Sequence, residues 1–136
     1  MYMSAGWTDQ SLAMNDDGII YYKAPRSYRR VFKELEKETG LDFERTSKRR
    51  KAEIICTYTE LETAGVCQLR GDKFFVKTDP EFKKVYGTYH VETHEIGHAL
   101  GLSHDPNYYS AMQTGWDNLP TFFTTGDYMA IDNLFF

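Results

Sequence analysis

The sequence lacks several features that define whole classes of protein. It has only two cysteines, too few for a disulfide-rich scaffold or a paired-cysteine metal site. It has no apolar run near the roughly 20 residues that cross a bilayer, so no membrane partner is expected. No basic stretch followed by an apolar stretch stands at its start, so no signal peptide is expected. We therefore expect either the mature form of a secreted protein or a protein made without export, in the cytoplasm or in a virion.

What remains has the size and composition of one globular domain. Apolar residues make up 41% and aromatic residues 15% of the 136 residues, which suffices for a core and excludes a disordered tail. No repeat or low-complexity linker divides the chain, so one domain over 1–136 is predicted, as a monomer. Cys56 and Cys67 either form one disulfide or remain as two buried thiols, because a single pair does not identify the redox compartment.

Lysine and arginine are absent from 85–136 and concentrated earlier in the chain. Of the 16 basic residues, 11 lie between Lys23 and Lys51, against five acidic ones, whereas 85–136 holds six acidic residues. A basic block can mark a nucleic-acid interface, but charge runs are more often solvated helix faces and loops. Nucleic acid is therefore not an expected partner. The acidic residues of 85–136 would favour a bound cation.

Periodicity predicts a sheet that packs on helices. A strand is predicted over 18–23, followed by a helix from Ser27 that ends near Gly40. Further strands are predicted over 41–45, 52–58, 66–69 and 73–77, and further helices over 88–100 and 125–135. The tripeptide Arg70-Gly71-Asp72 is interpreted as a turn between two strands rather than as an integrin-binding motif. This order predicts an α/β or α+β architecture.

Three of the four histidines fall in one segment, His94-Glu95-Ile96-Gly97-His98-Ala99-Leu100-Gly101-Leu102-Ser103-His104. On a helix, His94 and His98 lie one above the other and can bind one ion. Gly101 permits the sharp turn that a third ligand, His104, requires. Three histidines with an open fourth position are typical of catalytic zinc. We therefore predict one zinc ion at these residues, and no ligand role for the remaining histidine, His90.

Glu95 follows the first histidine directly. At that position a carboxylate can reach a metal-bound water without binding the metal, which predicts a general base. The predicted reaction is hydrolysis, of a peptide bond or of another amide. The alternative is a binding module with a metalloprotease-like fold, which docks a protein or a nucleic acid through 23–51. An intact Glu95 argues against that alternative, because a binding module has no need of a base.

The pattern HExxHxxGxxH resembles the signature of the metzincin zinc endopeptidases, and the residues between its fixed positions are similar to those of the matrixin branch. Met112, eight residues after His104, fits the methionine turn of that family, and Gly126-Asp127-Tyr128 is similar to the start of its last helix. The resemblance implies a twisted, mostly parallel sheet with an antiparallel edge strand, packed on the active-site helix and followed by a C-terminal helix. It also implies a zinc-dependent endopeptidase of peptide or protein substrates that pair with the edge strand near 65–69.

The chain departs from matrixins at several positions. Asp105 follows the third histidine, as in the adamalysin branch, where matrixins usually have serine. Thr114-Gly115-Trp116 replaces the matrixin Pro-x-Tyr, so Trp116 is the predicted aromatic wall of the substrate pocket. With only His90 outside the motif, the second, structural zinc of matrixins is not expected. Calcium stays open, because the loops that would hold it are too short to align.

Overall fold

A computed structural model of the chain describes residues 18–105, 110–115 and 119–136. Its strands are β1 (Ile19–Lys23), β2 (Asp42–Arg45), β3 (Ile54–Tyr58), β4 (Gly65–Arg70) and β5 (Lys73–Thr78). Its α-helices are α1 (Arg29–Glu38), α2 (Lys83–Tyr86), α3 (His90–Ala99) and α4 (Thr125–Phe135). Within these residues no helix has the length and apolar character of a membrane span.

The five strands form one sheet in the order β2-β1-β3-β5-β4. Neighbouring strands are parallel except for β4, which pairs antiparallel with β5 at the edge of the sheet. This confirms the mostly parallel sheet with an antiparallel edge strand. Strands β4 and β5 form a hairpin whose turn includes Gly71, with φ at 62°, so Arg70-Gly71-Asp72 is a turn as predicted.

The core lies between one face of this sheet and the helices. Alternate residues of each strand point into it, such as Phe74 and Val76 of β5, and helix α1 contributes Val31, Phe32 and Leu35. Helices α3 and α4 complete the core from the same side, for example through Ile96 and Ile131. This arrangement leaves the second face of the sheet without a helix among the described residues.

Helix α3 is buried on all sides, which is unusual for a helix of a small domain. All of its residues from Val91 to Ala99 are buried, including the polar side chains of Glu92, Thr93, His94, Glu95 and His98. The helix packs against β4 and β5. Burial of polar groups has a free-energy cost. Glu92 offsets it by accepting a hydrogen bond from the Tyr58 hydroxyl, and Thr93 by donating one to Thr121 O.

Two elements differ from the sequence predictions. The chain after Asp79 forms a 3-10 turn and then α2, where only a turn at Asp79-Pro80 was predicted; the Asp79 carboxylate accepts a hydrogen bond from Glu81 N at 3.1 Å. Helix α3 begins at His90 rather than near residue 88, because Tyr89 has a φ of 72° and interrupts the helical path. Both differences are local and leave the order of the main elements unchanged.

The two cysteines are free thiols in the core. Cys56 on β3 and Cys67 on β4 both lie opposite Val76 of β5, one on each side of that strand. Two strand spacings of about 4.8 Å separate them, whereas a disulfide needs α-carbons closer than about 7 Å. Of the two alternatives, the structure therefore has the buried thiols.

Candidate metal centre

The end of helix α3 brings three histidines together. Gly101 has a φ of 102°, and its N–H donates to the carbonyl of His98 at 3.0 Å while Leu102 N–H donates to Gly97 O at 2.9 Å. This left-handed turn, which only glycine adopts readily, brings His104 back to the two helical histidines. One nitrogen from each of His94, His98 and His104 lies within 4.8 Å of the others.

Backbone carbonyls fix the orientation of the two helical imidazoles. His94 Nδ1 donates to Ala111 O at 2.7 Å, and His98 Nδ1 donates to Leu102 O at 2.9 Å. With Nδ1 engaged as a donor, Nε2 is the nitrogen that can bind a metal. Oriented imidazoles of this kind are typical of metal sites, in which an outer hydrogen bond sets the tautomer of each ligand.

Burial also keeps these imidazoles neutral. It lowers the pKa of His94 from the usual 6.5 to about 4 and that of His98 to about 3. It also lowers the pKa of His104. Neutral imidazole is the form that binds a metal, and a set of nitrogen donors suits zinc. The donor set therefore fits the predicted zinc ion.

Glu95 directly follows His94 in the sequence, and its side chain is fully buried. Burial raises the pKa of its carboxyl well above the usual range. Among the described residues, neither of its carboxylate oxygens has a hydrogen-bond partner. It packs against the edge strand, since a β-carbon at Gly65 would lie 2.8 Å from Glu95 Cγ. A buried carboxylate without a described donor has a free-energy cost.

The segment 110–112 contacts helix α3 and one of its histidines. Ser110, Ala111 and Met112 are buried, and the Ala111 carbonyl is the one that orients His94. Met112 lies against α3, because a β-carbon at Gly97 would be 2.3 Å from Met112 Sδ. The predicted methionine turn is thus placed directly beside the histidine-bearing helix, as an apolar support.

Sequence analysis missed the residue that holds this turn in place. The buried carboxylate of Asp127, in the first turn of α4, accepts hydrogen bonds from Ser110 Oγ at 2.7 Å and from Ala111 N at 2.8 Å. It also accepts one from Thr124 N at 3.0 Å, as part of a capping box. The Thr124-x-x-Asp127 spacing was the available signal, since it marks a helix start, but nothing in it points to residue 111.

The sequence analysis singled out two further residues, His90 as a histidine without a ligand role and Trp116 as a pocket residue. His90 lies at the start of α3, where its Nδ1 donates to Thr88 O at 2.8 Å, and it is absent from the cluster of possible ligands in the described residues. Trp116 lies outside the described residues, so its role in a substrate pocket stays a prediction.

Solved structures share this fold, and one family model covers the segment that holds the site. The sequence model of the family described as Matrixin matches residues 61–136. High choriolytic enzyme 1, a hatching enzyme zinc-protease from the medaka fish Oryzias latipes, has a TM-score of 0.61 and 14% identity, over 99% of this chain and 98% of its own. The GM1-bound form of the ECX AB5 holotoxin has a TM-score of 0.56 and 13% identity, over 97% of this chain and 91% of its own. No curated protein sequence matches the chain.

The two kinds of similarity have different weight. At such low identity the structural similarity shows the fold alone. The matrixin match is evidence of family membership, because it covers more than half of the chain and includes the histidine segment, the methionine turn and α4. The chain belongs to the matrixin family of zinc metalloproteases.

Proposed function

We propose that this chain is a zinc-dependent endopeptidase whose metal ligands are His94, His98 and His104. The observation that carries the proposal is the convergence of three imidazoles, two of them oriented by backbone carbonyls, in a segment that also holds a buried carboxylate. A zinc ion bound there would polarise a peptide carbonyl and lower the pKa of a water toward about 7.

Glu95 acts as the general base and then as the general acid. It accepts a proton from the attacking water and passes it to the amine that leaves. Burial supports both steps, because it excludes competing solvent and raises the pKa of this carboxyl. A raised pKa favours the protonated form, which the second transfer requires.

The edge strand β4 provides a binding surface for an extended peptide. It pairs with β5 on one side only among the described strands, so its other edge can add a further strand. Because Gly65 of β4 touches Glu95, a peptide paired along β4 would pass close to that carboxylate. Trp116, which follows the methionine turn in sequence, is the proposed wall of the pocket for the residue after the cleaved bond.

A cleavage profile tests this function. The zinc-loaded protein is incubated with a mixture-based peptide library, with and without a zinc chelator, and the new amino termini are sequenced. We expect internal cleavage that the chelator abolishes and that the Glu95→Ala protein does not show. A folded, zinc-loaded protein that cleaves no peptide would contradict an endopeptidase.

The same library tests the pocket. Replacing Trp116 with alanine is expected to change the preference at the position after the cleaved bond more than at any other position. An unchanged profile would place Trp116 outside the pocket while leaving the endopeptidase activity itself in place.

A further inference from the structure

The outer face of the sheet, opposite the core, and the loop over 46–53 together carry eight of the 16 lysines and arginines. On β5, Phe74 and Val76 point into the core, so Lys73, Phe75 and Lys77 alternate onto the outer face. Lys23 of β1 and Arg70 of β4 share that face by the same alternation and by strand register. None of the described helices packs on it.

A basic loop over 46–53 is held against this face by specific contacts. The Arg49 and Arg70 guanidinium groups lie over the Phe75 ring, 5.0 and 5.8 Å from its centre. Lys51 Nζ lies 4.2 Å from the centre of the Tyr21 ring. Lys73 Nζ donates to the backbone carbonyls of Arg50 and Ala52, at 2.9 and 2.7 Å. The loop is thus fastened to the sheet through its cations and its backbone.

We call this surface the basic sheet face. Its cations are Lys23, Lys48, Arg49, Arg50, Lys51, Arg70, Lys73 and Lys77, where Lys48 and Arg50 belong to the exposed part of the loop. Acidic residues of the same surface are Asp42 and Glu44 on the edge strand β2, Asp72 in the hairpin turn, and Glu53. Glu53 lies between β1 and β5, where its carboxylate accepts from Tyr21 N. Among the described residues, none of the eight cations forms an ion pair with a carboxylate. Their charge is therefore available to a partner.

The charge run alone did not predict a nucleic acid as partner, but the contacts that hold the loop on the sheet gather its cations on one surface. We propose that the basic sheet face binds the phosphate backbone of a nucleic acid. The strands from β1 to β4 span three spacings, or about 14 Å, and a B-form duplex carries one negative charge per about 1.7 Å of its helix axis when both strands are counted. About eight phosphates lie along that length, and the roughly four on the near side of the duplex can meet the face at once. A small anion would use only one or two of the cations, so a repeating polyanion matches the charge better.

The chemistry of the face favours phosphate over a lipid surface. Guanidinium groups that stack on Phe75 keep their N–H edges available, and these edges match the geometry of a phosphate. Membrane docking would need exposed apolar side chains, but the large ones among the described residues are Val85, Met129 and Phe136. These lie in α2 and α4 or directly after α4, away from the face.

The distribution of charge also keeps such a partner away from the histidines. Residues 85–136, which hold the histidines and the methionine turn, contain no lysine or arginine and six acidic residues. A polyanion is therefore attracted to the basic sheet face and not to residues 85–136. The proposed interaction is independent of the proposed endopeptidase activity.

Fluorescence anisotropy with a labelled 20-base-pair DNA duplex and a labelled 20-nucleotide single strand tests the interface. We expect binding at 50 mM salt with a dissociation constant at or below about 10⁻⁴ M, and a steep dependence on salt. With about four phosphate contacts and a slope near −0.9 per contact, the affinity should fall about a hundredfold between 50 and 200 mM salt. Binding of neither oligonucleotide at 50 mM salt would overturn the proposal.

Paired variants locate the interface. Arg49→Ala/Arg70→Ala is expected to reduce the affinity at least tenfold. It should also make the slope of log affinity against log salt shallower by the contribution of about two phosphate contacts. Because these residues pack on Phe75, Lys48→Ala/Arg50→Ala serves as a second variant that leaves that packing intact. Lys33→Ala/Lys37→Ala, on exposed positions of α1, removes the same charge elsewhere and should stay within twofold of wild type. An equal loss in this control would overturn the assignment, as would preferential binding to phosphatidylserine vesicles.

Discussion

At the scale of single residues, the proposed site separates metal binding from proton transfer. Glu95 is not a ligand, so Glu95→Ala should keep zinc and lose activity by at least the 10²–10⁴-fold typical of general acid–base catalysis. His104→Ala removes a ligand and should lose both zinc and activity. Zinc content by mass spectrometry and peptide hydrolysis, measured on the same preparations, distinguish the two variants. Near-wild-type turnover by Glu95→Ala would contradict the mechanism.

Gly97 is a position at which a single methyl group should matter. Its β-carbon would lie 2.3 Å from Met112 Sδ and 3.0 Å from Phe123, so in Gly97→Ala these two buried side chains must shift to admit the methyl group. Overpacking of this kind costs about 1–3 kcal/mol, and we expect a lower melting temperature. Gly115→Ala is the matched control, since no atom of the described residues lies within 4 Å of its β-carbon. Equal melting of the two variants would show that Met112 accommodates the methyl group.

The two cysteines test the register of the sheet. Burial raises the pKa of both thiols well above the usual range, and both side chains are in the core. In the native protein Cys56 and Cys67 should resist a thiol-reactive dye at pH 8, and two thiols per chain should react after unfolding without reductant. Recovery of no free thiol from the unfolded chain would show a disulfide and contradict the strand order.

The sequence was most informative where a local pattern decides the geometry. The four-residue spacing of His94 and His98 and the glycine at 101 are sufficient to predict the histidine cluster, because helix periodicity and left-handed φ are local properties. The contact of Gly65 with Glu95 joins residues 30 positions apart in the chain. No local pattern encodes such a contact, so it could only be found in the folded structure.

At the scale of elements, α4 acts as the anchor of the methionine turn. Asp127 joins the α4 capping box to Ala111, and the Ala111 carbonyl orients His94. Asp127→Ala should leave Ala111 N–H without its carboxylate acceptor and cost about 2–4 kcal/mol of stability. It should also weaken zinc binding, because the orientation of His94 is loosened.

A second aspartate in the same helix is the control for this prediction. Asp132 lies one turn and a half further along α4 and accepts a hydrogen bond from Gly40 N at 3.0 Å in an exposed setting. Asp132→Ala should therefore cost about 1 kcal/mol or less and leave zinc affinity unchanged. Competition with a fluorescent zinc chelator measures the affinity of both variants. If the two variants bind zinc equally well, Asp127 is only a structural residue of α4.

The elements differ in how visible they are in the sequence. Helix α1 shows a clear 3.6-residue pattern through Val31, Phe32 and Leu35, because one of its sides faces solvent. Helix α3 has no solvent side, so its amphipathic pattern is weak and only the histidine motif marks it as a helix. Helix α2 is one turn long, and tertiary packing rather than intrinsic propensity determines whether such a short helix forms.

At the scale of the whole molecule, zinc should stabilise the fold as well as supply chemistry. Its ligands come from α3 and from the loop after Gly101, and α3 packs against the edge of the sheet while segment 110–112 ties it to α4. An ion that binds only the folded state at 1,000 times its dissociation constant adds about 4 kcal/mol. For a chain of this length the melting temperature should then rise on the order of 10 °C.

Removal of the metal provides the measurement. Dialysis against 1,10-phenanthroline should lower the melting temperature, and added zinc should restore it at one equivalent per chain, because the described residues contain one cluster of possible ligands. The 1,7-isomer, which does not chelate, is the matched control and should have no effect. The His104→Ala protein should melt at the temperature of the metal-free wild type and should not respond to zinc. Two tightly bound zinc ions per wild-type chain would contradict the expectation that the structural zinc of matrixins is absent, since His90 alone could not hold it.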